Sequence, residues 1–239
     1  YGKFEETDAG GNLIGEFGAN EFAVIAGYGR KLDSSFSVGG NLKFVYSSLY
    51  SYVGMGMAVD LSANYSIVEQ SFLVTLLMKN IGYQFLTYTD GERENLPFEI
   101  QAGVSKKFKN MPFRFNILLH HLNNFNLAYE NPNETGAGNF FNDEESKNSG
   151  GFGDELSRHL TIGVEFLPSR NFHLRMAYNF QRRKEMVLSN RPGGVGLSWG
   201  FGFKISKLHF NYARSTYHLS GSPNHFTVVT KISDWASKS

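Results

Sequence analysis

Apolar and polar residues alternate with a period of two along most of the chain, the repeat of an extended strand whose successive side chains point to opposite faces. Between 35 and 47 the even positions read Phe36, Val38, Gly40, Leu42, Phe44 and Tyr46, against Ser37, Gly39, Asn41, Lys43 and Val45. Met55, Met57, Val59, Leu61, Ala63 and Tyr65 then oppose Gly54, Gly56, Ala58, Asp60, Ser62 and Asn64. The pattern returns at 72–79, 98–105, 113–120, 159–166, 172–180, 195–204, 208–212 and 226–232, with a weaker opening hairpin at 2–7 and 13–30. No segment carries a convincing helical period, so the spacing predicts about twelve strands.

The connections also alternate. Short turns are predicted near 32–35, 67–70, 109–112, 168–171 and 205–207, and longer links near 8–12, 48–53, 84–97, 121–156, 182–194 and 214–225. Short turns on one rim and long polar loops on the other are the plan of an outer-membrane barrel, with turns in the periplasm and loops outside the cell. A soluble sandwich has no reason to sort its loops by side. The expected fold class is therefore all-β, an antiparallel up-and-down transmembrane β-barrel forming one domain over 1–239.

Two arguments orient the faces. About twelve strands closed on themselves leave a lumen too wide for one ring of side chains to fill, so the apolar stripe needs another apolar medium. The opposite stripe carries Lys43, Asp60, Lys79, Glu99, Arg114, Glu165, Arg175 and Lys204 among Gly39, Gly54, Gly56, Gly103, Gly163, Gly200 and Gly202. Glycine gains nothing on a solvent face of a strand, but in an enclosed one it makes room for a plug, a ligand or a neighbour's long side chain. Aromatics gather at strand ends (Phe36, Tyr65, Phe72, Phe113, Phe166 and Phe203), where an interfacial girdle is expected.

Composition narrows the classes further. In 239 residues there are 26 Gly, 22 Phe and 12 Tyr, a β-rich profile. Lys and Arg number 23 against 22 Asp and Glu, and this net charge of +1 argues against a nucleic-acid partner. Cysteine is absent, so no disulfide framework or thiolate metal site is expected. No 18-residue apolar run reads as a membrane helix. The first residue is Tyr1, and a leader or further N-terminal stretch is expected to precede it.

Several segments carry a family resemblance. Thr7-Asp8-Ala9-Gly10-Gly11-Asn12-Leu13-Ile14-Gly15-Glu16-Phe17 and Gly39-Gly40-Asn41-Leu42-Lys43-Phe44-Val45-Tyr46-Ser47 resemble the PorV/PorQ group, outer-membrane barrels related to the long-chain fatty-acid channel FadL. Lys79-Asn80-Ile81-Gly82-Tyr83-Gln84, Leu96-Pro97-Phe98 and Tyr217-His218-Leu219-Ser220-Gly221-Ser222-Pro223-Asn224-His225-Phe226 are most similar to the PorQ branch. That resemblance implies a fourteen-stranded barrel of the type IX secretion system of Bacteroidota, so that two strands would precede Tyr1. It also implies a role in an attachment complex that holds a PorZ-like surface protein alongside PorU-like and PorV-like components and anchors cargo to lipopolysaccharide.

Candidate chemistry is sparse. His120 and His121, adjacent on a predicted strand, are expected on opposite faces and unable to chelate together. His159 and His173 are expected on the luminal face near Glu165 and Arg175, joining Lys43, Asp60, Glu99 and Arg114 in a hydrogen-bonded lumen network. No metal spacing and no nucleophile elbow is present, and neither an enzyme nor a cofactor is expected. Gly27-Tyr28-Gly29 opens no helix, and Asp143-Glu144-Glu145 lacks the spacing of a calcium loop.

Two loop features point outward. Arg182, Arg183 and Lys184 close a predicted strand at the outer rim, where they either meet lipopolysaccharide phosphates or keep the rim soluble. Tyr88, Phe125, Tyr129, Phe140, Phe141, Phe152 and Tyr217 place aromatic rings on polar loops, a signature of protein contact unless the loops fold inward as a plug. The sequence thus predicts a non-enzymatic outer-membrane anchor. The alternative is a FadL-like channel for hydrophobic small molecules, which requires an apolar pocket in the lumen.

Overall fold

Twelve antiparallel strands follow one another in the computed structural model, each hydrogen-bonded to its neighbours in chain order, so the sheet is up-and-down throughout. The structure describes residues 2–89, 93–127, 152–187, 193–218, 221–231 and 235. The strands are β1 (Gly2–Thr7), β2 (Leu13–Lys31), β3 (Phe36–Leu49), β4 (Tyr52–Ile67), β5 (Phe72–Leu86) and β6 (Glu99–Lys107), then β7 (Phe113–Leu119), β8 (Leu160–Phe166), β9 (Phe172–Asn179), β10 (Leu197–Ile205), β11 (Leu208–Ser215) and β12 (Asn224–Thr230). Pro97, Pro112, Pro168 and Pro223 all lie just outside strands, where their missing N–H costs no ladder bond.

Burial is inverted relative to a water-soluble protein. Among the described residues only Ala19, Ala58 and Val195 are buried apolar side chains, whereas Asp60 and Glu165 are each 5% exposed. Leu42 and Leu61 are 49% exposed in mid-strand, and Tyr28 reaches 76%. Asp60 and Glu165 of the ionic stripe are therefore covered while much of the apolar stripe is bare.

The chain forms two compact units. The first comprises Tyr1–Ser66 and Thr75–Gln101. β3 and β4 pair in unbroken register, with Phe36 opposite Tyr65 and Lys43 opposite Ala58, whereas the β1–β2 pair shifts register between Glu6 and Thr7. On the apolar face, the Phe36 and Tyr65 rings lie 4.8 Å apart and those of Phe22 and Tyr46 5.1 Å apart, cross-strand pairs that tie neighbours together. The β3–β4 link departs from the long connection expected at 48–53. Leu49 pairs with Tyr52 across Tyr50 and Ser51 alone, and Tyr50 at φ 55° turns the hairpin. Loop lengths therefore do not alternate without exception.

The second unit comprises Ile67–Val74 and Ala102–Ser239. Phe113 faces Phe166 at 5.1 Å and Phe203 faces Phe210 at 5.3 Å, so the aromatics expected at strand ends do pair across strands. Two short helices were not anticipated: α1 (Phe152–Arg158) within the connection expected at 121–156, and α2 (Phe180–Met186) directly after β9. Alternation carries one step too far at Phe180, because Asn179 ends the strand by accepting a 2.7 Å bond from the Arg182 N–H and so capping α2. Val195, expected in a strand, is instead the buried residue of the turn before β10, where Gly196 takes φ +90°.

Gly82 and Gly29 provide a contrast. A Cβ at Gly82 would collide with the Met57 carbonyl, whereas at Gly29 the nearest atom is 3.8 Å away. We expect Gly82→Ala to lower the thermal midpoint in detergent by several degrees, a cost of about 1–3 kcal/mol, while Gly29→Ala leaves it nearly unchanged. Equal melting of the two variants would show that β4 and β5 do not approach this closely.

Candidate functional site

The covered polar face is built from cross-strand ion pairs. In the first unit, β3 and β4 bring Lys43 Nζ to 2.7 Å from Asp60 Oδ2. Asn80, at φ 58°, kinks β5 so that its side-chain oxygen accepts from Lys43 at 3.0 Å while its backbone N–H donates to Asp60 at 3.0 Å. Asn41 adds a longer contact to Asp60 at 3.3 Å. Lys79 lies 3.3 Å from Glu99, which also accepts from Gln101 at 2.8 Å. A charge taken out of water is tolerable only when paired and hydrogen-bonded in this way.

The same face in the second unit carries a triad across three adjacent strands. Register sets Arg114 of β7 and Arg175 of β9 on either side of Glu165 of β8. Arg114 Nη1 donates to Glu165 Oε2 at 2.8 Å and Arg175 Nε donates to Oε1 at 2.7 Å, so both carboxylate oxygens are used. Beyond β9 the partners of Arg175 and His173 are Gly200 and Gly202, and a Cβ on Gly202 would strike the His173 ring. Here glycine makes room for a neighbour's side chain. Lys43, Asp60, Glu99, Arg114, Glu165 and Arg175 thus all stand in paired networks, although as separate clusters within the two units.

The histidines are arranged differently from expectation. His120 and His121 lie past the end of β7, and His121 at φ 55° turns its ring back so that the two Nδ1 atoms are 2.8 Å apart. The opposite-face argument therefore does not apply to them, and together they offer two of the four ligands a structural zinc site would need. His159 is not part of the ion-pair triad. It precedes β8, with Nδ1 at 2.8 Å from the His120 carbonyl and Nε2 at 3.0 Å from that of Phe125. His173 sits near the other end of the β8–β9 pair, so His159 and His173 form no acid/base pair.

At the loop end of the second unit, Phe125 stacks on Phe152 at 5.9 Å and on His159 at 5.8 Å, leaving Phe125 and Phe152 largely exposed. Tyr217 stands apart from them, covered on one side by the Arg182 guanidinium at 3.7 Å. Tyr129, Phe140 and Phe141, with Asp143-Glu144-Glu145, lie outside the described residues. Arg182, Arg183 and Lys184 belong to α2 and do not close a strand. Arg183 donates to the Gly193 carbonyl at 3.1 Å, and Lys184 bonds the Asp154 carboxylate and the Ser157 hydroxyl at 2.5 Å, joining α2 to α1. Sequence reasoning missed that pairing, although Asp154 and Glu155 early and Arg158 late in a short segment are the charge order of a helix.

Tyr88 also departs from expectation. Its ring folds onto Gly54, where a Cβ would lie 2.9 Å from Tyr88 Cζ, and the Glu94 N–H donates to Gln84 at 3.1 Å. The connection after β5 therefore returns over the polar face of its own unit and bounds a cleft of about 580 Å³ between Phe4, Leu49, Tyr52 and Tyr88.

No protein-family model matches the sequence, and no curated protein matches it.

Two substitutions probe these contacts. Glu165→Gln leaves two guanidinium groups facing a neutral amide. Because Arg114 and Arg175 are 40% and 58% exposed, we expect a loss of only about 1–2 kcal/mol in denaturant unfolding. Neutralising Arg175 in the same chain should recover part of that loss. Separately, the Lys184 hydrogen bond holds the Asp154 carboxyl below its ordinary value. The stability of the α1–α2 contact is then present above about pH 4 and lost as pH falls through the lowered value. Protection of the α2 amides, taken relative to the intrinsic exchange rate at each pH, should fall on acidification in the parent chain, and Asp154→Asn should abolish that change in protection.

Proposed function

We propose that this chain is the body of an outer-membrane β-barrel whose loops hold a surface protein at the cell exterior, as in the PorV/PorQ group that its sequence resembles. One observation carries the membrane part: residues such as Leu42 and Leu61 are half exposed in mid-strand while Asp60 and Glu165 are covered and paired. Water is the wrong solvent for that arrangement and hydrocarbon the right one, because the inner strands β2 to β11 each have a hydrogen-bonded neighbour on both sides. The count of fourteen strands, closure into a barrel and placement in the outer membrane belong to this reading.

The anchoring role is supported by the exposed Phe125 and Phe152 stack beside a long polar connection. Rigid aromatic rings surrounded by hydrogen-bonding groups are effective protein contacts. The partner would be a PorZ-like surface protein, with PorU-like and PorV-like components and lipopolysaccharide nearby. Lys184 is held by Asp154, Arg183 by the Gly193 carbonyl and Arg182 by the Tyr217 ring, so a phosphate would compete with an existing contact at each of the three basic residues. The second reading, a channel for hydrophobic small molecules, draws on the cleft in the first unit.

Leu42→Arg tests the first claim. On a lipid-facing mid-strand position arginine costs about 2–4 kcal/mol, so refolding into lipid vesicles should fall sharply. On a water-facing position it would be neutral. A chain that stays a compact monomer in buffer without surfactant, and tolerates Leu42→Arg, would sink the membrane reading. Exchange of both rings, Phe125→Ser with Phe152→Ser, should abolish co-purification of the surface partner from solubilised membranes, and full recovery would sink the anchoring role.

A further inference from the structure

We propose that the cleft bounded by Phe4, Tyr52 and Tyr88 binds a small organic cation with an apolar body, an ammonium-bearing amphiphile. The inference goes beyond both readings above and rests on the cleft alone. Its volume of about 580 Å³ lies within the range of small-molecule sites. Three aromatic rings line it, and among the described residues the charged side chains on its wall are the carboxylates Glu21, which accepts from the Ser47 hydroxyl at 3.1 Å, and Glu94. A cation over aromatic faces gains from the ring quadrupole, and an adjacent carboxylate adds direct attraction.

The site is held in place from within its own unit. The Gly54 notch seats the Tyr88 ring, and Gln84 Oε1, accepting from the Glu94 N–H at 3.1 Å, fixes the main chain that carries the second carboxylate. A neighbouring cleft of about 330 Å³ shares Ser47, Tyr88 and Glu94 with the first and continues past Gly54 and Gly56 toward Lys43. That lysine is 2.7 Å from Asp60, so its charge is already answered there. Glu94 thus stands where the two clefts meet. An anionic ligand such as a fatty acid would bring a like charge to Glu94, whereas an ammonium head would be drawn to it. The apolar body would lie along Leu49 and the rings.

The test uses the purified chain in uncharged maltoside micelles, titrated with benzyltrimethylammonium, with phenylacetate of similar size and opposite charge, and with uncharged benzyl alcohol. Ligand-detected NMR or calorimetry reads binding against micelles alone. The cation should bind roughly tenfold more tightly than phenylacetate, and added salt should narrow that ratio. Glu94→Gln should reduce the ratio several-fold. Tyr88→Leu should weaken the cation, and Tyr88→Phe, which keeps the ring, should retain it. Equal or tighter binding of phenylacetate, a ratio indifferent to Glu94→Gln, or no saturable binding of the cation would each overturn the proposal. Should a variant fail to fold, the comparison of the three probes on the parent chain still decides it. Because no partner or transport is measured, failure here is separable from failure of either functional reading.

Discussion

Charge pairing across neighbouring strands is the constraint on which the rest of this protein depends. Lys43 with Asp60, and Glu165 between Arg114 and Arg175, can be covered only because register sets each charge against its complement. A slip of one residue in any of these strands would carry the ion to the apolar face and leave its partner buried alone, at a cost of several kcal/mol. Glycine is part of the same constraint. Gly202 yields the volume that His173 fills, and Gly54 the volume that Tyr88 fills, so a polar stripe of long side chains packs without an apolar core.

The strands were legible in the sequence because a period of two survives in nearly every segment. The opening hairpin, β8 and the start of β9 fall where alternation places them. Helices were not legible, since seven residues are too few to display a helical period. The residues of α2 are good helix formers, but the signal that mattered was Asn179, which acts as a cap only once the chain leaves the sheet. The β3–β4 turn was hidden for a related reason: Ser48, Tyr50 and Ser51 read as loop, and pairing with the neighbouring strand overrides that local preference.

The candidate site was legible in part. Residues of opposite charge on one stripe were expected to pair, and seven of the eight do so. His120 and His121 defeated the reading because a single positive φ at His121 cancels the alternation on which it rested. Tyr88 defeated it in another way. A ring in a polar connection carries no mark of whether it points outward or back, and only the glycine facing it holds that information, some thirty residues earlier in the chain.

The four long strands of the first unit have 19, 14, 16 and 15 residues, whereas a tilted strand needs about 9–11 to cross hydrocarbon. If that unit spans a bilayer, the surplus must stand clear of it as a stiff hydrogen-bonded palisade. A ligand or protein held at its crest would sit beyond the reach of lipid tails. Docking there would then be governed by water and dissolved ions more than by the hydrocarbon itself.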